Sequence, residues 1–211
     1  MREPTSVATL EEFGRRQLSK SFFMRDFLYS EISQIENIPN IPKNPDLAVE
    51  AGTKLCTEVL EPIQDRFGRI AIRSAYRSRA VNNKGAENHN QYSCAKSDSN
   101  RARHIWDELD DKEQMGATAC IVVTSFLPYY ERTKHWQALA WWIHDNIRDY
   151  SEMEFFPKLS AFNISWHEAP IRSIYGRTPP LGYLTRPGMG NHEGRHEAEY
   201  AAWIREFDDA R

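Results

Sequence analysis

Histidines and acids supply the first candidate chemistry in this chain. His104 heads the run His-Ile-Trp-Asp-Glu-Leu-Asp-Asp, which places carboxylates at Asp107, Asp110 and Asp111. His167 ends the run Phe-Asn-Ile-Ser-Trp-His, with Glu168 beside it. Two histidines and a carboxylate, with one coordination position left open, form the ligand set of a catalytic zinc, which activates a water for attack on an amide or ester. The same residues fit a plainer reading, in which an acid-rich helix start adjoins one histidine and a strand-end histidine packs under Trp166. His135 and His144 stand nine residues apart on a Trp-rich helix, share no ligand-competent face, and read as surface or boundary residues. His192 and His196 have i, i+4 spacing, but Gly194 and the Gly-Met-Gly lead-in argue against a rigid helix and hence against a metal pair. His89 lies in a polar loop and reads as solvated.

A second candidate is the stretch from Arg69 to Asn82. Ile70 and Ile72 alternate with Arg69, Ala71 and Arg73, the period of a short strand. The chain then breaks into a polar turn carrying Ser74, Tyr76, Arg77 and Ser78. Such a turn can present a guanidinium to a ligand; it can equally be a strand end with solvated arginines.

The elements that would position these groups follow from pattern. Leu10 to Lys20 reads as a short polar helix, followed by Phe22, Phe23, Phe27 and Leu28 at near-helical spacing, and Ser30 can cap another short helix. Asn37 to Pro45, with three prolines and three asparagines, is an irregular connection. Asp46 is placed to cap a helix whose apolar positions Leu47, Ala51, Leu55, Val59 and Ile63 recur every four residues; Pro62 should kink or divide it and Phe67-Gly68 end it. From Asn82 to Lys112 little apolar periodicity remains, which predicts a long surface loop with a helical turn at His104 to Leu109. Gly116 to Val123 suits a buried central strand, and Lys134 to Ile147 an amphipathic helix. Met153 to Phe156 and Phe162 to Trp166 read as strands, Arg177 to Gly190 as a Pro/Gly-rich loop, and Glu197 to Phe207 as a terminal helix. Helices first and strands later suggest an α+β fold with a central antiparallel sheet and flanking helices. Residues 1–45 then form a helical lead-in packed on a domain spanning 46–211.

Bulk properties bound the function. The 211 residues suffice for one substantial core. A formal net charge of −3 does not favour nucleic acid or an acidic membrane as a partner. No apolar run reaches membrane-spanning length, so no membrane role is expected, and the N-terminus lacks the apolar core of a secretory signal. A cytoplasmic chain, or a phage-associated one released by a non-classical route, is the matching expectation. Cys56, Cys94 and Cys120 form an odd count with no CxxC pair, which points to a reducing compartment rather than a disulfide framework.

Over Phe27 to Asn82 the chain resembles peptidase family M15, the zinc D-Ala-D-Ala carboxypeptidase-like enzymes of the Hedgehog/DD-peptidase fold. The matching pieces are Phe27-Leu-Tyr-Ser-Glu31, Asn40-Ile-Pro42, the helix ending Val59-Leu-Glu-Pro-Ile-Gln-Asp-Arg-Phe-Gly68, and Ile72-Arg-Ser-Ala-Tyr-Arg-Ser78 with Val81-Asn82. The resemblance implies that Arg77 stabilises the substrate carbonyl or its oxyanion, with Ser74 and Tyr76 beside it on the substrate. It implies Zn²⁺ held by His104, Asp111 and His167, since the family signature is a His, six residues, then an Asp, with a later strand-end His. Asp107 and Asp110 are further candidates. The family's small-residue run before its strand Asp falls later here, and the position matching that Asp is Cys120, itself a competent zinc ligand. Asn163, Ile164 and Ser165 precede His167 where the family carries its base, which leaves Glu168 as the base. The implied activity is hydrolysis of peptidoglycan-type peptides. The alternative is a degenerate, non-catalytic member that binds a protein or glycan through Trp141, Trp142, Tyr129 and Tyr130.

Overall fold

The computed structural model describes residues 1–87, 92 and 94–210, so His89 lies outside the described residues. Eight α-helices and six strands alternate with short 3-10 turns along the described chain. Helix α1 (Val7–Gly14) is capped by Ser6, and a 3-10 turn follows at Met24–Phe27. Ser30 caps α2 (Glu31–Glu36) as its side chain predicts, its Oγ accepting from Ser33 N at 3.3 Å. Helix α3 (Pro45–Leu55) begins earlier than expected: Asn44, not Asp46, is the cap, and Pro45 takes the first turn, where its missing N–H costs nothing. The helix is divided just before Pro62, as expected. A π-helical turn at Cys56–Leu60 joins α3 to α4 (Glu61–Phe67), which ends at Gly68 with φ of +81°.

Strand β1 (Ile70–Ser74) leads through a turn into α5 (Arg79–Gly85), and β2 (Gly116–Val123) matches its predicted bounds. All eight β2 residues are buried, which fits a run of small and β-branched side chains covered on both faces. Helices α6 (Leu127–Thr133) and α7 (Gln137–Asn146) follow, then β3 (Tyr150–Phe155) and β4 (Phe162–His167). Two short strands, β5 (Ser173–Gly176) and β6 (Gly182–Thr185), extend the sheet, the second inside the segment expected to be a Pro/Gly-rich loop. Helix α8 (Glu197–Asp209) packs on α7.

The sheet order is β1-β2-β4-β3-β5-β6. The expected antiparallel sheet is in fact mixed: four pairings are antiparallel, and β3–β5 is parallel. Side chains alternate between two faces along each strand. Ala119, Ile121, Ile164, Phe162, Met153, Phe155 and Ile174 face the helices and join one core that runs from Phe13 of the lead-in to Trp203 of α8. The aromatic residues expected to form a docking surface belong to that core. Trp141, Tyr129 and Tyr130 are buried, and the Trp142 ring meets Phe67 edge-on at 4.5 Å. The other face is polar. Its register aligns Ser74, Cys120, Asn163, Glu154, Tyr175 and Tyr183 in one row across all six strands.

The segment expected to be a long surface loop covers one end of this polar face. It opens with α5, makes a 3-10 turn at Ser97–Asn100, and buries Ala102, His104, Ile105, Trp106 and Asp107. The helical turn expected at His104 to Leu109 does not form; instead Arg101 and Ile105 pair in a β-bridge, and Trp106 Nε1 donates to Thr118 O at 3.2 Å.

Candidate functional site

Arg77 lies where β1 gives way to α5, and four neighbouring elements hold its turn in place. Asn40, from the irregular connection, donates through Nδ2 to Tyr76 O at 2.9 Å and to Leu28 O at 3.0 Å, and accepts from Ser78 N at 2.7 Å. Ser78 caps α5, its Oγ accepting from Val81 N. Arg77 N donates to His104 O at 2.8 Å, which ties the turn to the covering loop. The Tyr76 hydroxyl donates to Asp107 Oδ1 at 3.0 Å, and Asp107 Oδ2 accepts from Lys43 N at 2.8 Å. Tyr76 is therefore a support: its ring is buried against Trp106 and its hydroxyl is committed to a carboxylate.

The Arg77 guanidinium points into a cavity of about 330 Å³ lined by Ser30, Glu31, Ser74, Tyr76, Arg77 and Cys94, among others. Nη1 donates to Cys94 Sγ at 2.7 Å and to Asn82 Oδ1 at 3.3 Å. Nε is buried without a partner. Among the described residues no carboxylate lies within ion-pair distance of this guanidinium. Burial pulls the Arg77 pKa down, opposed by the Cys94 thiol. A cation removed from water with no carboxylate beside it is an expensive arrangement unless an anion arrives to pair with it. Asn82 is fully buried behind it, donating to Ala95 O and Ser97 Oγ, both at 3.0 Å, and accepting from Asn100 at 2.7 Å, so one side chain shapes the covering loop.

His104 sits deeper on the same side. Its Nδ1 lies 2.7 Å from Ala75 O, and a carbonyl only accepts, so Nδ1 carries the proton of the neutral ring. Asn163 hydrogen-bonds the ring. Burial, with the positive field of Arg77, holds the His104 pKa well below the usual histidine range. Asn163 Nδ2 donates to Glu154 Oε2 at 3.2 Å, and Cys120 lies directly opposite Asn163 in the sheet register. Burial pushes the Cys120 thiol up to about 11, against the opposing pull of Arg73 and Arg77.

The zinc ligands expected from the sequence do not converge. His167 lies opposite Gly116, four residues beyond Asn163 on β4 and so about 13 Å along the strand. Its Nε2 is 3.3 Å from Asp110 Oδ2, while Asp111 is exposed and pairs with Arg101. Backbone bonds from Gln114 and Lys112 hold the Asp110 carboxyl below its usual range. Glu168, expected as the base, accepts from Met115 N at 2.7 Å and so fastens β4 to the segment before β2. Among the described residues no three His, Cys, Asp or Glu side chains gather at metal-binding distance. The side chain that hydrogen-bonds His104 is the neutral amide of Asn163, with Cys120 opposite that residue on β2, while His167 and Asp111 are held elsewhere. That set does not fit the two-histidine, one-carboxylate site implied by the resemblance.

Three of the remaining histidines, His144, His192 and His196, form a clasp between α7 and the chain before α8. His144, expected at the surface or boundary, is buried, and its Nε2 donates to His192 O at 2.9 Å. His196 stacks on Trp141 with ring centroids 3.8 Å apart, and its Nδ1 meets the buried Asp145 at 2.8 Å. His192 Nε2 donates to Arg172 O at 3.0 Å. The pattern of one sequence offered no signal for this clasp, or for Asn82, Cys94 and Asn163 as site residues; only Asn82 stood inside a quoted motif. No family model, no curated protein and no solved structure matches this chain.

Proposed function

We propose that this chain is a divergent M15-like protein of the Hedgehog/DD-peptidase type that binds the terminal carboxylate of a peptide, of the peptidoglycan kind, without hydrolysing it through zinc. One observation carries the reading: a largely buried Arg77 guanidinium, with one N–H unpartnered and no carboxylate beside it among the described residues, opens onto a cavity of ligand size. A carboxylate there gains charge-assisted hydrogen bonds, the stronger kind, and relieves the desolvated cation. Ser30 and Ser74 offer hydroxyls to the neighbouring amide, and the exposed Glu31 stands at the rim.

The test is calorimetric titration with N-acetyl-D-alanyl-D-alanine and with its C-terminal amide, beside metal analysis of the purified protein. The acid should bind about 10- to 150-fold tighter than the amide, the worth of about 1.5–3 kcal/mol for hydrogen bonds to a charged group. Stoichiometric zinc that is lost on His104→Ala, together with release of alanine from the acid, would replace this reading with zinc-dependent hydrolysis.

A further inference from the structure

β1 is an edge strand, and no segment among the described residues pairs with its outer side. An open edge carries a row of backbone donors and acceptors ready to receive another strand. Alongside it runs a groove of about 920 Å³, lined by Arg69 just before the strand, Ile70 to Ile72 within it, and Ser21, Phe22 and Asp26 of the lead-in. The groove is separate from the Arg77 cavity: the two share no lining residue. The opposite edge, β6, is only four residues long and is flanked by Pro180 and Pro187, which blunts it against pairing.

Charge decides which strand β1 can accept. Arg69, Ala71 and Arg73 are all exposed, while Ile70 and Ile72 pair with the core-facing Val123 and Ile121; the register shifts at Arg73, between Ile72 and Ser74 on the polar row, which leaves both arginines on the polar side. Among the described residues neither arginine has an ion-pair partner, and Asp26, the acid in the groove, is engaged with Phe23 N at 2.8 Å. A second copy pairing edge to edge would set arginine against arginine, and like charges facing each other across a pair are destabilising. A strand with acids four positions apart meets both cations at once.

We propose that the outer edge of β1 docks an extended segment of a partner protein that carries acidic residues at positions i and i+4. Backbone hydrogen bonds to β1 supply the binding, and the two acid–arginine pairs set register and direction. The probe is the peptide acetyl-Glu-Val-Thr-Val-Glu-amide, which has no terminal carboxylate to offer the Arg77 cavity, with lysine in place of both glutamates as control. Hydrogen exchange at residues 70–73, read by NMR at millimolar peptide, should slow with the glutamate peptide. Affinity should fall about tenfold or more for the lysine peptide, and likewise for the Arg69→Glu, Arg73→Glu double variant. Both substitutions are on exposed positions, and circular dichroism checks that the variant is folded. Unchanged exchange along β1, equal binding by the double variant, or self-association of the free chain through β1 would each overturn the proposal.

Discussion

Arg77→Met separates a ligand-binding arginine from a structural one. A structural arginine is paired, and its loss leaves a buried partner without a counter-charge, at a cost of about 3–5 kcal/mol. Arg77 has no such partner among the described residues. It makes hydrogen bonds to Cys94 and Asn82, and its Nε has none. Methionine fills much of the same volume and carries no charge to desolvate. The variant loses two bonds to a charged group, worth about 1.5–3 kcal/mol each, and is relieved of a buried cation with no carboxylate partner, worth several kcal/mol. The two effects nearly cancel, so stability should change by less than about 1 kcal/mol. For a chain of this size each kcal/mol moves Tm by about 2–4 °C, so the variant should melt within a few degrees of the parent. Urea unfolding gives the free energy directly, with an unchanged m-value showing that the same surface is exposed. Carboxylate binding should vanish in the same variant. A loss of more than about 1 kcal/mol would refute the reasoning, because it would mean the guanidinium is satisfied within the fold.

Three further outcomes follow from the same geometry. Asn40→Ala removes three hydrogen bonds from the turn that carries Arg77. It should cost about 3 kcal/mol at roughly 1 kcal/mol per bond and weaken carboxylate binding although Asn40 does not line the cavity, both readable from one urea and ligand titration. His104 is held neutral by burial, so as pH falls below about 6.5 the unfolded chain takes up a proton that the folded chain refuses, and stability is lost. His104→Gln should flatten that decline by up to about 1.4 kcal/mol per pH unit between about pH 6.5 and 5 in parallel melts; an unchanged slope would assign it to other groups. Gly116→Ala drives a methyl to 2.1 Å from Ala102 O and 2.8 Å from His167 Cδ2. Since the first neighbour is backbone, a loss of about 1–3 kcal/mol is expected on chemical unfolding.

Local pattern was most legible where one physical cause dominated. The small and β-branched run of β2 needs no partner to declare itself a buried strand, and Ser30 caps α2 through a bond only three residues long. The Arg77 turn was legible for the same reason, since strand period, polar turn and capping serine are contiguous. Signals that depend on distant chain were silent. β5 and β6 are four residues each and pair only because β3 offers an edge, so their sequence carries too few residues to show a period. The stretch around His104 is polar by count, yet it is buried because Asn82, Thr118 and Ala75 supply its hydrogen bonds. Spacing between His104 and Asp111 resembled a metal signature, but the intervening turn sends the acid to solvent and its charge to Arg101. Asn163 and Cys120, which spacing could not join, are cross-strand partners in the sheet.

The side-chain Nε–H resonance of Arg77 tests the central claim most directly. Titrating N-acetyl-D-alanyl-D-alanine into protein labelled at arginine should shift that resonance and slow its exchange with water, while the C-terminal amide leaves it in place. A saturating acid that binds elsewhere and leaves the Arg77 Nε–H unmoved would contradict the account.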